Sequence, residues 1–90
     1  MDKKLFLKRK QLDIIDKQIL KLISKRLKLV LLIIKLKKKK NLLIIDSKRE
    51  REVFNTRINF GKKQKLNYSY VKDLFKLIIK ESHKLAKKLN

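Results

Sequence analysis

The sequence predicts an all-α protein with three helices per subunit, a long helix 1 and an intertwined homodimer. Three observations carry this prediction. The chain of 90 residues has no proline and a single glycine, Gly61, so little in it interrupts helix propagation. Its first forty residues repeat apolar side chains at helical spacing. The helix that this spacing predicts is longer than a small domain is wide, so a second chain is needed to cover it.

Helix 1 is predicted to run from about Leu5 to about Lys40. Its apolar positions alternate spacings of three and four, which is the heptad seam of a helix that packs along another helix. The seam consists of Leu12, Ile15, Ile19, Leu22, Arg26, Leu29, Ile33 and Leu36. At 1.5 Å per residue the helix is roughly 50 Å long, and one chain of this size cannot easily cover it. Dimerisation is therefore expected.

Two shorter helices follow a predicted loop over residues 41–45. Ser47 should begin helix 2, because Ser47 and Glu50 have the spacing of a capping box, in which the serine bonds a backbone amide and the glutamate reaches back. Helix 2 should continue to about Phe60, after which Gly61 suits a left-handed cap or a loosened last turn. Asn67 can cap helix 3. The buried stripe of helix 3 is predicted to be Val71, Leu74, Phe75, Ile78, Ile79, Ser82, Leu85, Ala86 and Leu89.

The charge of the chain favours an anionic partner. There are 28 basic residues against 8 acidic ones, a formal charge of +20, which suits nucleic acid, an acidic membrane surface or a small anion. The abundance of lysine also fits AT-rich coding, which replaces exchangeable surface residues with lysine. That bias makes the few arginines informative, because each one retained indicates a need for its planar, bidentate fork. They are Arg9, Arg26, Arg49, Arg51 and Arg57.

Several classes of site are excluded by composition and spacing. The chain has no cysteine, which removes disulfides, thiolate metal sites and cysteine nucleophiles and fits a reduced, cytoplasmic setting. The apolar runs are too short for a signal-peptide core or a membrane span, so a soluble protein is expected. No glycine-rich phosphate loop or metal motif occurs. His83, the only histidine, is expected on the surface, because no second ligand or triad partner stands at a suggestive spacing.

Two cations interrupt the apolar face of helix 1. Arg26 occupies a seam position, and Lys37 lies eleven residues on, three turns along almost the same line. Two inward cations would accept a bound anion. Alternatively, Arg26 sets the helix register by pairing with a carboxylate such as Asp16, Glu50 or Glu52, and Lys37 only begins a solvated lysine run. Both interpretations stay open on these residues alone.

Three further polar residues have similar double interpretations. Ser82 falls on the buried line of helix 3, where its hydroxyl can bond the carbonyl four residues back or a ligand. Glu50 can serve a capping box or a ligand. Asp46 can be an alternative N-cap or a ligand contact.

The combination of these residues across three helices resembles the all-helical chorismate mutases, including the mutase domain of bifunctional chorismate mutase-prephenate dehydratases. The resemblance covers nearly the whole chain, so residues 1–90 are expected to form one mutase domain. The matching positions are Arg9, Ile15-Asp16, Ile19-Leu20, Arg26, Lys37, Asp46-Ser47-Lys48-Arg49-Glu50 and Ile78-Ile79-Lys80-Glu81-Ser82. Three of the arginines fall on positions of this family.

The resemblance implies an isomerase that rearranges chorismate to prephenate in phenylalanine and tyrosine biosynthesis. This intramolecular pericyclic shift forms no covalent intermediate and needs no acid, base, nucleophile, metal or cofactor. The enzyme orients a flexible dianion into its chair-like reactive form and supplies positive charge where the breaking ether oxygen becomes negative.

The resemblance also implies roles for individual residues. Arg26 and Arg9 would bind the substrate carboxylates, with Arg9 reaching in from the second subunit, and Ser82 would hydrogen-bond a carboxylate. Lys37 would contact the ether oxygen and a carboxylate. Asp46 and Glu50 would hold the ring hydroxyl region, and Arg49 would support this set. Lys37 and Arg26 would be the catalytic residues.

Ala86 departs from the family pattern. Four residues after the helix 3 serine, bacterial members carry a glutamine that donates a hydrogen bond to the ether oxygen, and alanine has no donor. Three alternatives result: the protein is a slow mutase, it has rebuilt the contact to the ether oxygen with another group, or it is an inactive mutase-like module. A basic helical nucleic-acid-binding protein is a further alternative. Two observations argue against it: the basic residues surround the helices instead of forming one stripe, and no aromatic stacking surface appears.

Overall fold

The computed structural model describes residues 2–89, which form three α-helices and no strand. Helix α1 spans Lys3–Lys39, α2 spans Ser47–Lys63 and α3 spans Tyr68–Leu89. The predicted all-α fold with three helices and a long first helix is therefore confirmed. Within this range, none of the helices combines the length and apolar character that crossing a membrane requires.

Helix α1 begins and ends close to the predicted residues. The Asp2 side chain caps it by accepting a hydrogen bond from the Leu5 amide at 3.2 Å. At the other end three lysines, residues 37–39, lie in the last turn, where positive charge is favourable beside the negative end of the helix dipole. Asn41 then turns the chain with a positive φ of 56°, a conformation that asparagine tolerates well.

Most of α1 has no partner among residues 2–89. Residues 3–22 are all exposed, and the molecule is 59 Å long but only 25 and 15 Å across. The apolar members of the predicted seam are between 48% and 65% exposed. Arg26 is the one seam residue that is half-buried. The heptad seam is thus an uncovered apolar surface of the single chain.

Helix α2 starts at the predicted residue with a different cap. The carboxylate of Asp46 accepts the hydrogen bond from the Arg49 amide at 3.1 Å, so Asp46 is the N-cap and the predicted Ser47 capping box is wrong. Glu50 does not reach back to the cap, because its carboxylate pairs with a residue of α3. Aspartate and serine are both good N-caps, and the helix uses the one that is a residue earlier.

Helix α2 continues three residues beyond its predicted end at about Phe60, and the predicted left-handed cap at Gly61 is wrong. The helix continues to Lys63, Gly61 is buried within it without a positive φ, and the left-handed residue of the following turn is Lys65, with a φ of 60°. The reason for glycine is contact with α3. A Cβ at position 61 would lie 2.8 Å from Cγ2 of Val71, closer than two carbon atoms can approach.

Helix α3 packs against both other helices and supplies most of the core. Asn67 caps it as predicted, because its side-chain oxygen accepts from the amides of Ser69 at 2.9 Å and Tyr70 at 3.3 Å. Most of the predicted stripe is buried or half-buried, whereas Leu74 is exposed. The buried apolar side chains are Ile34, Val53, Val71, Ile79 and Ala86.

Candidate functional site

A cavity of about 180 Å³ lies among the three helices and the loop between α1 and α2. Of the six site residues expected from the sequence, five line it and Arg9 does not. Its polar and charged lining residues are Arg26, Lys37, Asp46, Arg49, Glu50, Ser82 and His83. Apolar side chains, among them Ile34, Val53 and Ile79, form the rest of the wall. The cavity therefore has an apolar wall. Of its five lysine, arginine, aspartate and glutamate side chains, three are cations.

Arg26 points across the contact between α1 and α3. Its Nη1 donates to the hydroxyl oxygen of Ser82 at 3.4 Å, and that hydroxyl donates in turn to the carbonyl of Ile78 at 3.2 Å. Among the described residues no carboxylate forms an ion pair with Arg26, so the register-setting pair considered above is not found. Burial, followed by the positive charges of Arg57 and Arg49, lowers the pKa of Arg26.

The absence of a counter-ion for Arg26 within residues 2–89 defines the electrostatics of the cavity. A half-buried guanidinium on which two other arginine charges act costs free energy unless an anion compensates it. A bound anion would remove that cost, and a carboxylate would match the planar fork of arginine with two parallel hydrogen bonds.

Lys37 lies at the loop side of the same cavity. It is half-buried, unlike the exposed lysines at positions 38–40, and its Nζ donates to the carbonyl oxygen of Ile44 at 2.9 Å. This bond fixes the ammonium group against the loop that leads to Asp46. Lys37 is thus distinct from the solvated lysine run that follows it.

Asp46 and Arg49 occupy the first turn of α2. One carboxylate oxygen of Asp46 accepts the capping bond, so the cap also holds this side chain at the cavity wall. Arg49 lies largely in solvent and pairs with Glu52 at 3.5 Å, an exposed contact that contributes little to stability.

His83 lines the cavity, and its predicted surface position is wrong. It is half-buried, and its Nε2 lies 2.7 Å from Oε2 of Glu50. The sequence pattern missed it because His83 lies one residue off the apolar line of α3. The available signal was its position beside Ser82 and one turn before Ala86, which places it next to any site that those two residues form.

Arg57 is a second residue that the sequence did not single out for the site. It is half-buried on α2, two turns after Arg49, and donates to the hydroxyl of Thr56 at 2.9 Å. Its charge acts on Arg26, as described above. The sequence signal for Arg57 was its residue type, because the chain has only five arginines.

Arg9 lies on the exposed half of α1, outside the cavity. It is 17 residues from Arg26, which corresponds to roughly 25 Å along a helix and about 100° around it. One subunit therefore does not bring Arg9 and Arg26 to the same small ligand.

Ala86 is 5% exposed and lines the cavity one turn after Ser82. A side chain at this position faces the site, and alanine leaves it without a hydrogen-bond donor there. No cluster of three or more histidine, aspartate or glutamate side chains suited to a metal ion occurs among residues 2–89.

These features define a class: a helical domain whose cavity offers fixed cations and hydrogen-bond groups around an apolar wall, an arrangement suited to an anionic ligand. The family model of chorismate mutase type II matches residues 8–87. The chain belongs to the chorismate mutase type II family, and the family expected from the sequence is confirmed.

Two curated proteins are similar to most of this chain, and both carry the name bifunctional chorismate mutase/prephenate dehydratase. The protein of Buchnera aphidicola subsp. Schizaphis graminum is 46% identical over 81 residues, and that of Buchnera aphidicola subsp. Acyrthosiphon pisum is 41% identical over 81 residues. Each match covers 90% of this chain but 21% of the relative, so the chain spans about a fifth of the length of these proteins. The family match supports chorismate mutase function for this chain.

Proposed function

We propose that this chain rearranges chorismate to prephenate in a site that is completed across a homodimer. One observation carries the proposal: Arg26 is half-buried beside other cations, in a cavity shared with Lys37, and without a carboxylate partner in the described chain. A dianionic ligand is the partner that this arrangement lacks. The family membership of the chain identifies chorismate as that dianion.

The reaction asks for orientation and charge, which the cavity residues supply. Arg26 would hold one carboxylate through its guanidinium fork, with Ser82 hydrogen-bonded to the same group. Lys37 would lie at the ether oxygen, whose negative charge grows as the bond breaks. A fixed ammonium group in an apolar wall stabilises that charge without reorganising water. Asp46 and Glu50 would hold the ring hydroxyl region.

The second subunit would cover the seam and complete the site. The free half of α1 exposes isoleucine and leucine side chains along its seam, which a second copy of the same helix would bury. The same copy would carry Arg9 into the cavity of its partner. Within one subunit, Arg9 is too far along α1 to reach the cavity that holds Arg26. A cytoplasmic location, expected from the cysteine-free sequence, is part of this proposal.

Loss of chorismate absorbance with purified protein tests the activity. Lys37→Ala should lower kcat on the order of a hundredfold, the scale of removing one preorganised transition-state contact. Lys38→Ala is the matched control, because Lys38 is the adjacent exposed lysine outside the cavity. Wild-type protein that is folded and dimeric but does not consume chorismate would contradict the proposal.

Ala86 supports one alternative, a mutase-like module with little or no activity. Position 86 offers the cavity no hydrogen-bond donor. A donor there would stabilise the negative charge that develops on the ether oxygen. The same assay separates the two: slow turnover that depends on Lys37 supports a mutase. No turnover together with binding of a dianionic analogue supports the inactive module.

A further inference from the structure

The pair between His83 and Glu50 is the one strong polar contact at the cavity without an assigned role. It joins α3 to α2, with Nε2 of His83 2.7 Å from Oε2 of Glu50. The side chains are 37% and 30% exposed, respectively, so both keep contact with the cavity. The other ion pairs among residues 2–89 lie on more exposed side chains of neighbouring helical turns.

Glu50 poses an electrostatic problem for the proposed substrate. A carboxylate at the wall of a small cavity repels a dianion, and the repulsion grows as water leaves the site. Within the described chain, His83 is the only ionisable side chain paired with Glu50. A hydrogen bond donated to the carboxylate at this distance draws part of its negative charge away from the cavity.

The pair also fixes where the carboxylate points. An ionised carboxylate only accepts hydrogen bonds, so Nε2 of His83 is the donor. Because the donor and acceptor come from different helices, the bond holds the Glu50 side chain in one orientation between α2 and α3.

We propose that His83 is a positioning residue for the mutase reaction, which holds the Glu50 carboxylate towards the ring hydroxyl of the substrate. This inference rests on the proposed function and deepens it. The resulting expectation is that catalysis weakens when position 83 has no donor for Glu50 and recovers when another donor replaces the imidazole.

Lys84 is the neighbour of His83 on α3, but it pairs with Glu81 on the exposed side at 3.5 Å. Lys84 is not among the residues that line the cavity, so it provides a control position beside His83.

Three variants test the positioning role. His83→Gln keeps a donor for Glu50, so we expect kcat and KM close to the wild-type values. His83→Leu removes the donor as well and should lower kcat on the order of tenfold, the scale of leaving a charged group without its hydrogen bond. Lys84→Gln is the charge-matched control on the same helical turn and should change neither constant.

The measurements are kcat and KM for chorismate, beside the melting temperature and helicity of each variant. A lowered kcat in folded His83→Leu that His83→Gln restores supports the inference. If His83→Leu lowers only the melting temperature, or if folded His83→Gln is about tenfold slower than wild type, His83 is a structural link and the inference is wrong; the second outcome decides even if His83→Leu fails to fold. Wild-type protein without turnover would instead contradict the proposed function.

Discussion

Arg26 lies 3.4 Å from the hydroxyl oxygen of Ser82, and this neutral contact takes the place of an ion pair. Helix α1 presents the guanidinium and α3 presents the hydroxyl, so the approach of these two helices brings them together. A hydroxyl can accept from arginine without cancelling its charge. The cavity thus keeps a positive group ready for an anion.

Arg26→Met should lower kcat/KM by roughly a hundredfold or more, through loss of a charge-assisted contact to substrate, without lowering the melting temperature. The reason is that burial and neighbouring arginines already disfavour the charged form of Arg26, as the lowered pKa indicates. An apolar side chain of similar length removes that cost. Arg51→Met, at an exposed position of α2, is the control and should change neither quantity. A large drop in melting temperature in Arg26→Met would mean that the arginine stabilises the fold.

Arg9→Ala and Arg26→Ala should complement each other when mixed. Each variant alone lacks one arginine at both sites of the proposed dimer, whereas a mixed dimer has one intact site. Activity should therefore recover towards about a quarter of the wild-type value, because half of the subunit pairs are mixed and each has one good site of two. Recovery is measured after subunit exchange, with each variant mixed with itself as the control. If the subunits exchange but activity does not recover, Arg9 and Arg26 do not serve one shared site.

Ala86→Gln should raise kcat more than it changes KM. The position is buried at the cavity wall, so the amide would reach the space where charge develops on the ether oxygen. The gain has a ceiling on the order of 3 kcal/mol, or roughly a hundredfold. Ala86→Leu, similar in size but without a donor, is the control for packing, and melting temperatures report any overpacking. A folded Ala86→Gln protein with unchanged kcat would mean that another group already serves the ether oxygen.

Gly61→Ala should destabilise the protein although alanine favours helices. The new Cβ would lie 2.8 Å from Cγ2 of Val71, a short, stiff side chain that cannot rotate out of contact. Overpacking of this kind costs about 1–3 kcal/mol and outweighs a helix-propensity gain of about 1 kcal/mol. The melting temperature should fall by several degrees.

The control for this effect is the same substitution in a Val71→Ala background, where Gly61→Ala should be neutral or stabilising. Thermal unfolding of the four proteins forms a double-mutant cycle, and the coupling between the two positions is the quantity of interest. Equal effects of Gly61→Ala in both backgrounds would exclude the contact as the reason for glycine.

The sequence by itself determined the number and type of the helices, the bounds of α1 and the cap at Asn67. It also placed Arg26 and Lys37 on one line of α1 and Ser82 and Ala86 on one line of α3. These properties depend on the helical repeat and on side chains a few residues apart, which can be read along the chain.

The tertiary structure alone decided three features. His83 meets Glu50 across 33 residues of sequence, Gly61 is required by Val71 of the next helix, and Arg26 meets a hydroxyl instead of a carboxylate. Each depends on the distance and angle at which two helices cross, and on side chains one residue off the apolar line. Helical periodicity fixes the face of a single helix, but packing between helices selects which side chains on those faces come into contact.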